Sequence, residues 1–246
     1  MRIVIIIPTY NEGNAIGDLL DAIENEIKSI LHEMYILVVD GNSTDETIRI
    51  VRGREKIYPN TRLLIEKQKL GLGAAYCAGI IYVINQLKAD AFIEFDGDFQ
   101  HNPKDIPRLV AEFEKGYDYV IGSRYISGGS VPEEWTWHRK ILSRFGSLFI
   151  RWALWLSTHD NTSGLKLSRV HGFAKSLPLA PEQLISRRHA YKIQFLYAML
   201  KNGAKTKEIP IRFLSRKGGD SKSTAEDILE SLKVILMLRV HNLWRR

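Results

Sequence analysis

One cysteine, Cys77, stands among the 246 residues, so no internal disulfide framework can staple this fold and a reducing, cytoplasmic setting is expected. It sits in a run of small residues from Ala74 to Gly79, which suits a packed thiol better than a nucleophile. Long apolar runs are also missing: nothing approaches the roughly 18 residues that a spanning helix needs. The apolar start, Ile3–Ile7, is cut off by Pro8, too soon for a secretory signal. Neither a Gly-x-x-x-x-Gly-Lys-Ser/Thr loop nor a Gly-x-Gly-x-x-Gly following the first apolar run occurs, which excludes two common phosphate-binding fingerprints. Repeats, low-complexity tracts and linkers are absent too, so a single continuous domain over 1–223 is expected, with one more helical segment over 224–246.

What is present is the composition of a globular protein, 45% hydrophobic and 26% charged. The net charge of +7 is unevenly placed. Residues 1–123 carry 13 Lys and Arg against 19 Asp and Glu, a net −6, whereas residues 124–246 carry 22 against 9, a net +13. A basic half points to an anionic partner: phosphates, an anionic membrane or nucleic acid. Nucleic-acid binding would set aromatics among Lys and Arg on a sheet face, but Trp152 and Trp155 belong to an apolar helical stripe, which argues against that partner.

The first half alternates compact β-branched runs (Arg2–Pro8, Tyr35–Asp40, Thr61–Glu66, Ala91–Asp96, Tyr117–Ser123) with helical spacing over Ala15–Ile30, Asp45–Glu55, Gly73–Leu87 and Pro103–Lys115. Asn14, Ser43 or Thr44, and Asn102 are the expected N-caps. Regular alternation predicts an α/β fold with a mainly parallel sheet, in which ligands bind at the C-terminal strand edge. Beyond residue 124 the alternation loosens. Ile141–Leu156 is amphipathic, with Ile141, Phe145, Leu148, Phe149, Trp152 and Trp155 on one stripe. Arg188–Asn202 reads as a helix, Thr206–Phe213 as a strand, Leu214–Lys222 as a basic loop and Thr224–Trp244 as a closing amphipathic helix.

Two constellations sit at the predicted ligand edge. Asp96-Gly97-Asp98 ends an apolar strand, and two carboxylates one residue apart can reach one hard cation, Mg²⁺ or Mn²⁺, that bridges phosphates. Lys69-Leu70-Gly71-Leu72-Gly73 opens a helix, where glycines serve either close packing or the approach of backbone amides to an anion. His101 serves as a metal ligand, a base or a structural hydrogen-bonding group at the strand end.

In order along nearly the whole chain run Pro8-Thr9-Tyr10-Asn11-Glu12, Val38–Asp45, Lys69–Tyr76, Asp96–His101, Gly122-Ser123-Arg124-Tyr125, Gly128-Gly129 and Trp137-x-Arg139-x-x-x-Ser143. Asp160–Gly164 and Ile209-Pro210-Ile211-x-Phe213-x-x-Arg216 with Ser221-Lys222 complete the series. Together they resemble the inverting glycosyltransferase family 2 with its GT-A fold, nearest to the polyprenol- and dolichol-phosphate mannose synthases. The resemblance implies a metal-dependent transfer of one hexose, mannose from GDP-mannose, to a polyprenyl or dolichyl monophosphate. It implies a nucleotide and metal half over 1–123 and an acceptor-phosphate half over 124–223. Pro8, Tyr10, Glu12 and Asp40 would line the nucleoside pocket, with Lys69, Gly73, Asp96 and Lys222 also on the donor. Asp96, Asp98 and Gln100 would hold the metal. Arg124, Arg139, Ser143 and Arg216 would hold phosphates, and Asp98, Arg124, Arg139 and Arg216 would carry catalysis.

Departures from the family pattern are Gly41 in place of a second aspartate, Lys166 in place of an arginine, and Phe195 where a glutamate is frequent. They leave UDP-glucose open as donor, and a non-catalytic sugar-nucleotide-binding module open as a role. Arg151-Trp152 lacks a preceding Gln at Leu148, against the Gln-x-x-Arg-Trp of polymerising synthases. In the last helix Leu229, Leu232, Leu236, Val240 and Leu243, widened by Ile228 and Ile235, form an apolar stripe ahead of Trp244-Arg245-Arg246. That pattern predicts docking on the cytoplasmic face of a membrane or on a separate anchoring protein, with packing into the core as the competing expectation.

Overall fold

The computed structural model describes residues 1–215 and the backbone of 225–244, with side chains over 226–240. Its strands are β1 (Arg2–Thr9), β2 (Glu33–Asp40), β3 (Thr61–Ile65), β4 (Ala91–Glu94), β5 (Tyr119–Ser123), β6 (Lys166–Arg169) and β7 (Thr206–Pro210). The helices are α1 (Gly13–Ile27), α2 (Thr47–Ile57), α3 (Leu72–Asn85), α4 (Asp105–Glu114), α5 (Trp137–Leu154), α6 (Tyr191–Lys201) and α7 (Ala225–Trp244). One sheet runs β3-β2-β1-β4-β6-β5-β7, parallel throughout except for β6, which is antiparallel to both neighbours.

Period-two alternation along buried strands divides the apolar residues between two cores. From β1, Val4 and Ile6 join Leu37 and Val39 on the face covered by α3, α5, α6 and α7. Ile3, Ile5 and Ile7 join Ile36 and Val38 on the face covered by α1 and α4, with Val51 of α2. The small-residue run in α3 has a steric cause. A Cβ on Gly79 would lie 2.7 Å from Ile6 Cγ2, so the helix rides directly on the strand. Cys77 is packed there, and burial pushes its thiol up to about 12, as befits an inert core residue.

Several sequence expectations shift. α2 is not capped by Ser43 or Thr44, because the Ser43 hydroxyl donates to Asp40 and the Thr47 amide turns instead to Asp45 Oδ1 at 3.0 Å. Asn14 lies inside α1, which opens at Gly13 with no side-chain cap. The strand expected over Thr206–Phe213 ends at Pro210, beyond which only an isolated bridge, Ser130 to Arg212, continues the ladder.

Of the apolar stripe expected in the final helix, only Ile235 is covered among the described residues, with Val234 and Leu238 buried beside it. Val234, Ile235 and Leu238 are buried in the core beneath α5 and α6, so α7 is structurally part of the 1–223 unit. Ile228, Leu229, Leu232, Leu236 and Val240 remain exposed, as do Phe145 and Trp152 of α5 and Trp155 just past its end. The side chains of Leu243 and Trp244 and the tail Arg245-Arg246 lie outside the described residues, as do Arg216, Ser221 and Lys222. Among the described residues no helix is long and apolar enough to cross a membrane.

Candidate active site

Three strand ends meet at one edge. β1 delivers Pro8, Tyr10 and Glu12, β4 delivers Asp96 and Asp98, and β5 delivers Arg124, all lining one cleft of about 1350 Å³. The helix α5 adds Arg139 and Ser143, one turn apart, and the approach to α3 adds Lys69. Lys69 Nζ lies 3.8 Å from the centre of the Tyr10 ring, a cation–π contact that joins two of the residues expected to bind the donor.

The acidic turn is held by backbone geometry. A Cβ on Gly97 would sit 2.9 Å from the Pro8 carbonyl oxygen, so only glycine lets the turn close against β1. Phe99 follows with φ at 64°, an uncommon conformation for an aromatic residue, and the Gln100 amide donates to Asp98 Oδ1 at 3.1 Å. The Gln100 side-chain amide donates to the Leu214 carbonyl, which tethers the turn to the segment after β7.

Asp96 is the most heavily partnered member. Lys192 Nζ, from the first turn of α6, lies 3.0 Å from its Oδ2, and the Tyr76 hydroxyl donates to its Oδ1 at 3.1 Å. Burial opposes ionisation of this carboxyl, but Lys192 and then His101 outweigh it and hold the group well below the usual carboxylate range. His101 is buried, with Nε2 3.5 Å from Asp96 Oδ2, and neither ring nitrogen has a hydrogen-bond partner of good geometry among the described residues. Its ring instead packs edge-on against Phe95 and Phe213. Among the described residues no three acidic, histidine or cysteine side chains converge as a ready-made metal cage. The protein offers two carboxylates and an amide oxygen on one wall of an open cleft. That donor set fits a hard cation whose remaining ligands come from phosphate and water.

Arg124 is built in. Its backbone N–H and Nε both donate to Asp160 Oδ2, at 2.9 and 2.7 Å, and Nη2 donates to Asp160 Oδ1 and to Thr162 Oγ1. Burial would lower this guanidinium, yet the fully buried Asp160 raises it on balance, so it stays charged. On α5, Arg139 stacks over Trp135 at 4.0 Å and the Ser143 hydroxyl lies 2.5 Å from that of Tyr125.

Two expected donor-site residues stand apart from the cleft. Asp40 is fully buried; its oxygens accept from Thr9 and from the backbone and hydroxyl of Ser43, so it braces the ends of β1 and β2. Gly73 donates its amide to the Arg187 carbonyl at 2.8 Å, and a Cβ there would lie 2.8 Å from Tyr191 Cβ. Its glycine serves the seating of α3 against α6, not an anion. In the other direction, Lys192 and Gly164 line the same cleft and Asp160 anchors Arg124 behind it; Asp160 and Gly164 belong to the Asp160–Gly164 motif, but sequence reasoning assigned none of the three a role of its own.

The family model of glycosyl transferase family 2 matches residues 4–177. A polyprenol monophosphomannose synthase from Mycolicibacterium smegmatis is 31% identical over 94% of this chain and 84% of its own. A dolichol-phosphate mannosyltransferase from Pyrococcus furiosus is 32% identical over 97% of this chain and 64% of its own. Among solved structures, a glucosyl-3-phosphoglycerate synthase from Mycobacterium tuberculosis, in complex with Mn²⁺, UDP and glucosyl-3-phosphoglycerate, superposes with a TM-score of 0.65. It shares 18% identity over 97% of this chain and 79% of that one. The shared fold is a mostly parallel, GT-A-like sheet flanked by helices.

Proposed function

The chain belongs to glycosyl transferase family 2, and from that premise we propose that it transfers one mannose, with inversion, from GDP-mannose to a polyprenyl or dolichyl monophosphate at a membrane surface. The observation that carries this reading is the grading of the cleft. It passes from the acidic wall of Asp96 and Asp98, through Arg124, Arg139 and Ser143, to apolar residues of α5 and α7 that include Phe145, Phe149, Ile228 and Leu232. A sugar diphosphate with a cation suits the first part, a phosphate the second and an isoprenoid chain the third. The names of the curated relatives support the lipid-phosphate acceptor and the mannosyl group.

Asp96, Asp98 and Gln100 would hold a divalent cation, Mg²⁺ or Mn²⁺, which when bound neutralises charge on the departing nucleotide diphosphate. Arg124, fixed by Asp160, and Arg139, stacked on Trp135, orient the acceptor phosphate for in-line attack. A phosphate monoester with a second pKa near 6 is mostly dianionic at neutral pH, so no residue here has to remove a proton. Direct attack by that oxygen on the anomeric carbon inverts it. Arg216 and Lys222 are proposed as further phosphate contacts.

Incubation with GDP-mannose, UDP-glucose and a polyprenyl phosphate, followed by mass measurement of the lipid, tests the reading. A mannosyl phospholipid is expected. A glucosyl product would overturn the sugar assignment, and nucleotide binding without any product would leave a binding module.

The exposed apolar face of α5 and α7 is proposed to rest on the membrane. Trp152 is 73% exposed and Leu236 65% exposed, and Arg239 of α7 stacks 3.5 Å over Trp155 at the C-terminal end of α5, which places a cation within the aromatic face. Trp152→Ser with Leu236→Ser is expected to abolish flotation with anionic liposomes at low salt while shifting Tm by less than about 3 °C. Deletion of the segment from 225 onward would instead lower Tm sharply, because Val234, Ile235 and Leu238 are core residues. Unchanged flotation of the double variant would remove this face from membrane binding.

A further inference from the structure

Asp96 has a counter-ion of its own. Lys192 stands in the first turn of α6, where the positive end of the helix dipole disfavours a cation, and its side chain is only 8% exposed. Its ammonium lies 3.0 Å from Asp96 Oδ2 and 3.5 Å from Oδ1. Gly164 clamps the pair from the side: a Cβ there would fall 2.1 Å from Asp96 Oδ2 and 2.7 Å from Lys192 Nζ. Behind it Lys166, fully buried, donates to the Lys192 carbonyl at 3.4 Å. A buried ion pair of this kind adds little to stability over an apolar pair of the same volume. Its placement against a helix dipole, on one of the two cleft carboxylates, therefore points to the chemistry of the site.

We infer that Lys192 competes with the divalent cation for Asp96, so that the cation binds firmly only together with the nucleotide diphosphate. The inference rests on the reading of Asp96 and Asp98 as cation ligands. A divalent ion on two carboxylates beside an ammonium leaves the site with excess positive charge, poorly screened because the Lys192 and Asp96 side chains are mostly buried. The diphosphate of a sugar nucleotide reverses that excess and offers oxygens to both cations. Lys192 thus acts as a positioning residue: it keeps the acidic turn neutralised and in place until the donor arrives, and it couples entry of the metal to entry of the nucleotide.

The test is Mn²⁺ binding, followed by the electron paramagnetic resonance signal of the free ion, with and without GDP or UDP. In the wild-type protein Mn²⁺ alone is expected to bind weakly and the matching nucleoside diphosphate to tighten it more than tenfold. Nucleotide affinity should rise by the same factor when Mn²⁺ is present. Lys192→Met is expected to bind Mn²⁺ alone at least tenfold more tightly, with the nucleotide effect reduced to match. Lys192→Arg, which keeps the charge, should behave as wild type. Equal or weaker binding of Mn²⁺ alone by Lys192→Met, with nucleotide coupling intact, overturns the role of Lys192 and leaves the donor site standing. If Lys192→Met does not fold, the wild type decides: binding of Mn²⁺ as tight without nucleotide as with it overturns the inference. No response to either nucleotide in any of the three proteins overturns the donor-site reading along with it.

Discussion

Asp98→Ala is expected to lower kcat by more than about a thousandfold, about 4 kcal/mol or more of barrier, while the fold survives. Asp98 is half-buried in the turn that follows β4, where it accepts the Gln100 amide at 3.1 Å. Losing that hydrogen bond costs about 0.5–1.5 kcal/mol, or a drop in Tm of under about 5 °C for a chain of this size. On the proposed reading the catalytic loss is larger, because Asp96 and Asp98 would be the two carboxylates on the cation, and among the described residues no third acidic, histidine or cysteine side chain joins them as a ligand cluster. Single-turnover measurement with GDP-mannose, Mn²⁺ and polyprenyl phosphate, beside a thermal melt, separates the two effects. Turnover within tenfold of wild type would remove the cation from Asp98.

The second large effect is expected at a residue with no functional group. Gly164→Ala puts a methyl 2.1 Å from Asp96 Oδ2 and 2.8 Å from Asp96 Cγ, far inside contact distance. Since Gly164 follows the fully buried Ser163, whose hydroxyl is anchored on the Gly122 carbonyl at 2.6 Å, its backbone has little freedom to retreat. Asp96 must turn away instead, breaking its contacts with Lys192 and Tyr76. Overpacking of this kind costs about 1–3 kcal/mol of stability, a fall in Tm of roughly 2–12 °C. Transfer should fall by at least a hundredfold even at temperatures where the variant is fully folded, and raised Mn²⁺ should recover only part of it. Wild-type kinetics in a folded Gly164→Ala protein would mean that Asp96 does not need its present orientation.

Periodicity carried the first five strands because each contains a compact apolar run. β6 escaped it: Lys-Leu-Ser-Arg has no such run, and it is buried only because tertiary partners surround Lys166 and Ser168. Strand-end position correctly gathered Tyr10, Glu12, Asp96, Asp98 and Arg124 at one edge, but position does not say which way a side chain points. Asp40 ends its strand like the others and turns inward to Thr9 and Ser43. Lys192 meets Asp96 across a separation in sequence that no local pattern encodes. The stripes on α5 and α7 were legible as apolar faces. Whether a stripe meets the core or solvent depends on what packs on it: among the described residues of α7, Ile235 of the stripe and its neighbours Val234 and Leu238 are the apolar residues that are buried.

The order of the strands also decides when this protein can finish folding during its own synthesis. β4 and β5 are successive in the chain yet never touch as neighbours; β6, from Lys166 to Arg169, is threaded between them. A nascent chain that has emerged only as far as Ser123 can assemble β3-β2-β1-β4, but β4 then ends in a row of unpaired backbone groups on an apolar strand. β5 must wait for a later partner, and β7 waits on β5. The acidic half of the chain thus holds the strand ends that bring Pro8, Tyr10, Glu12, Asp96 and Asp98 to the cleft but cannot close its own sheet. Released alone, it would present an adhesive edge to other chains, so the two halves are bound to a common fate through synthesis, folding and quality control.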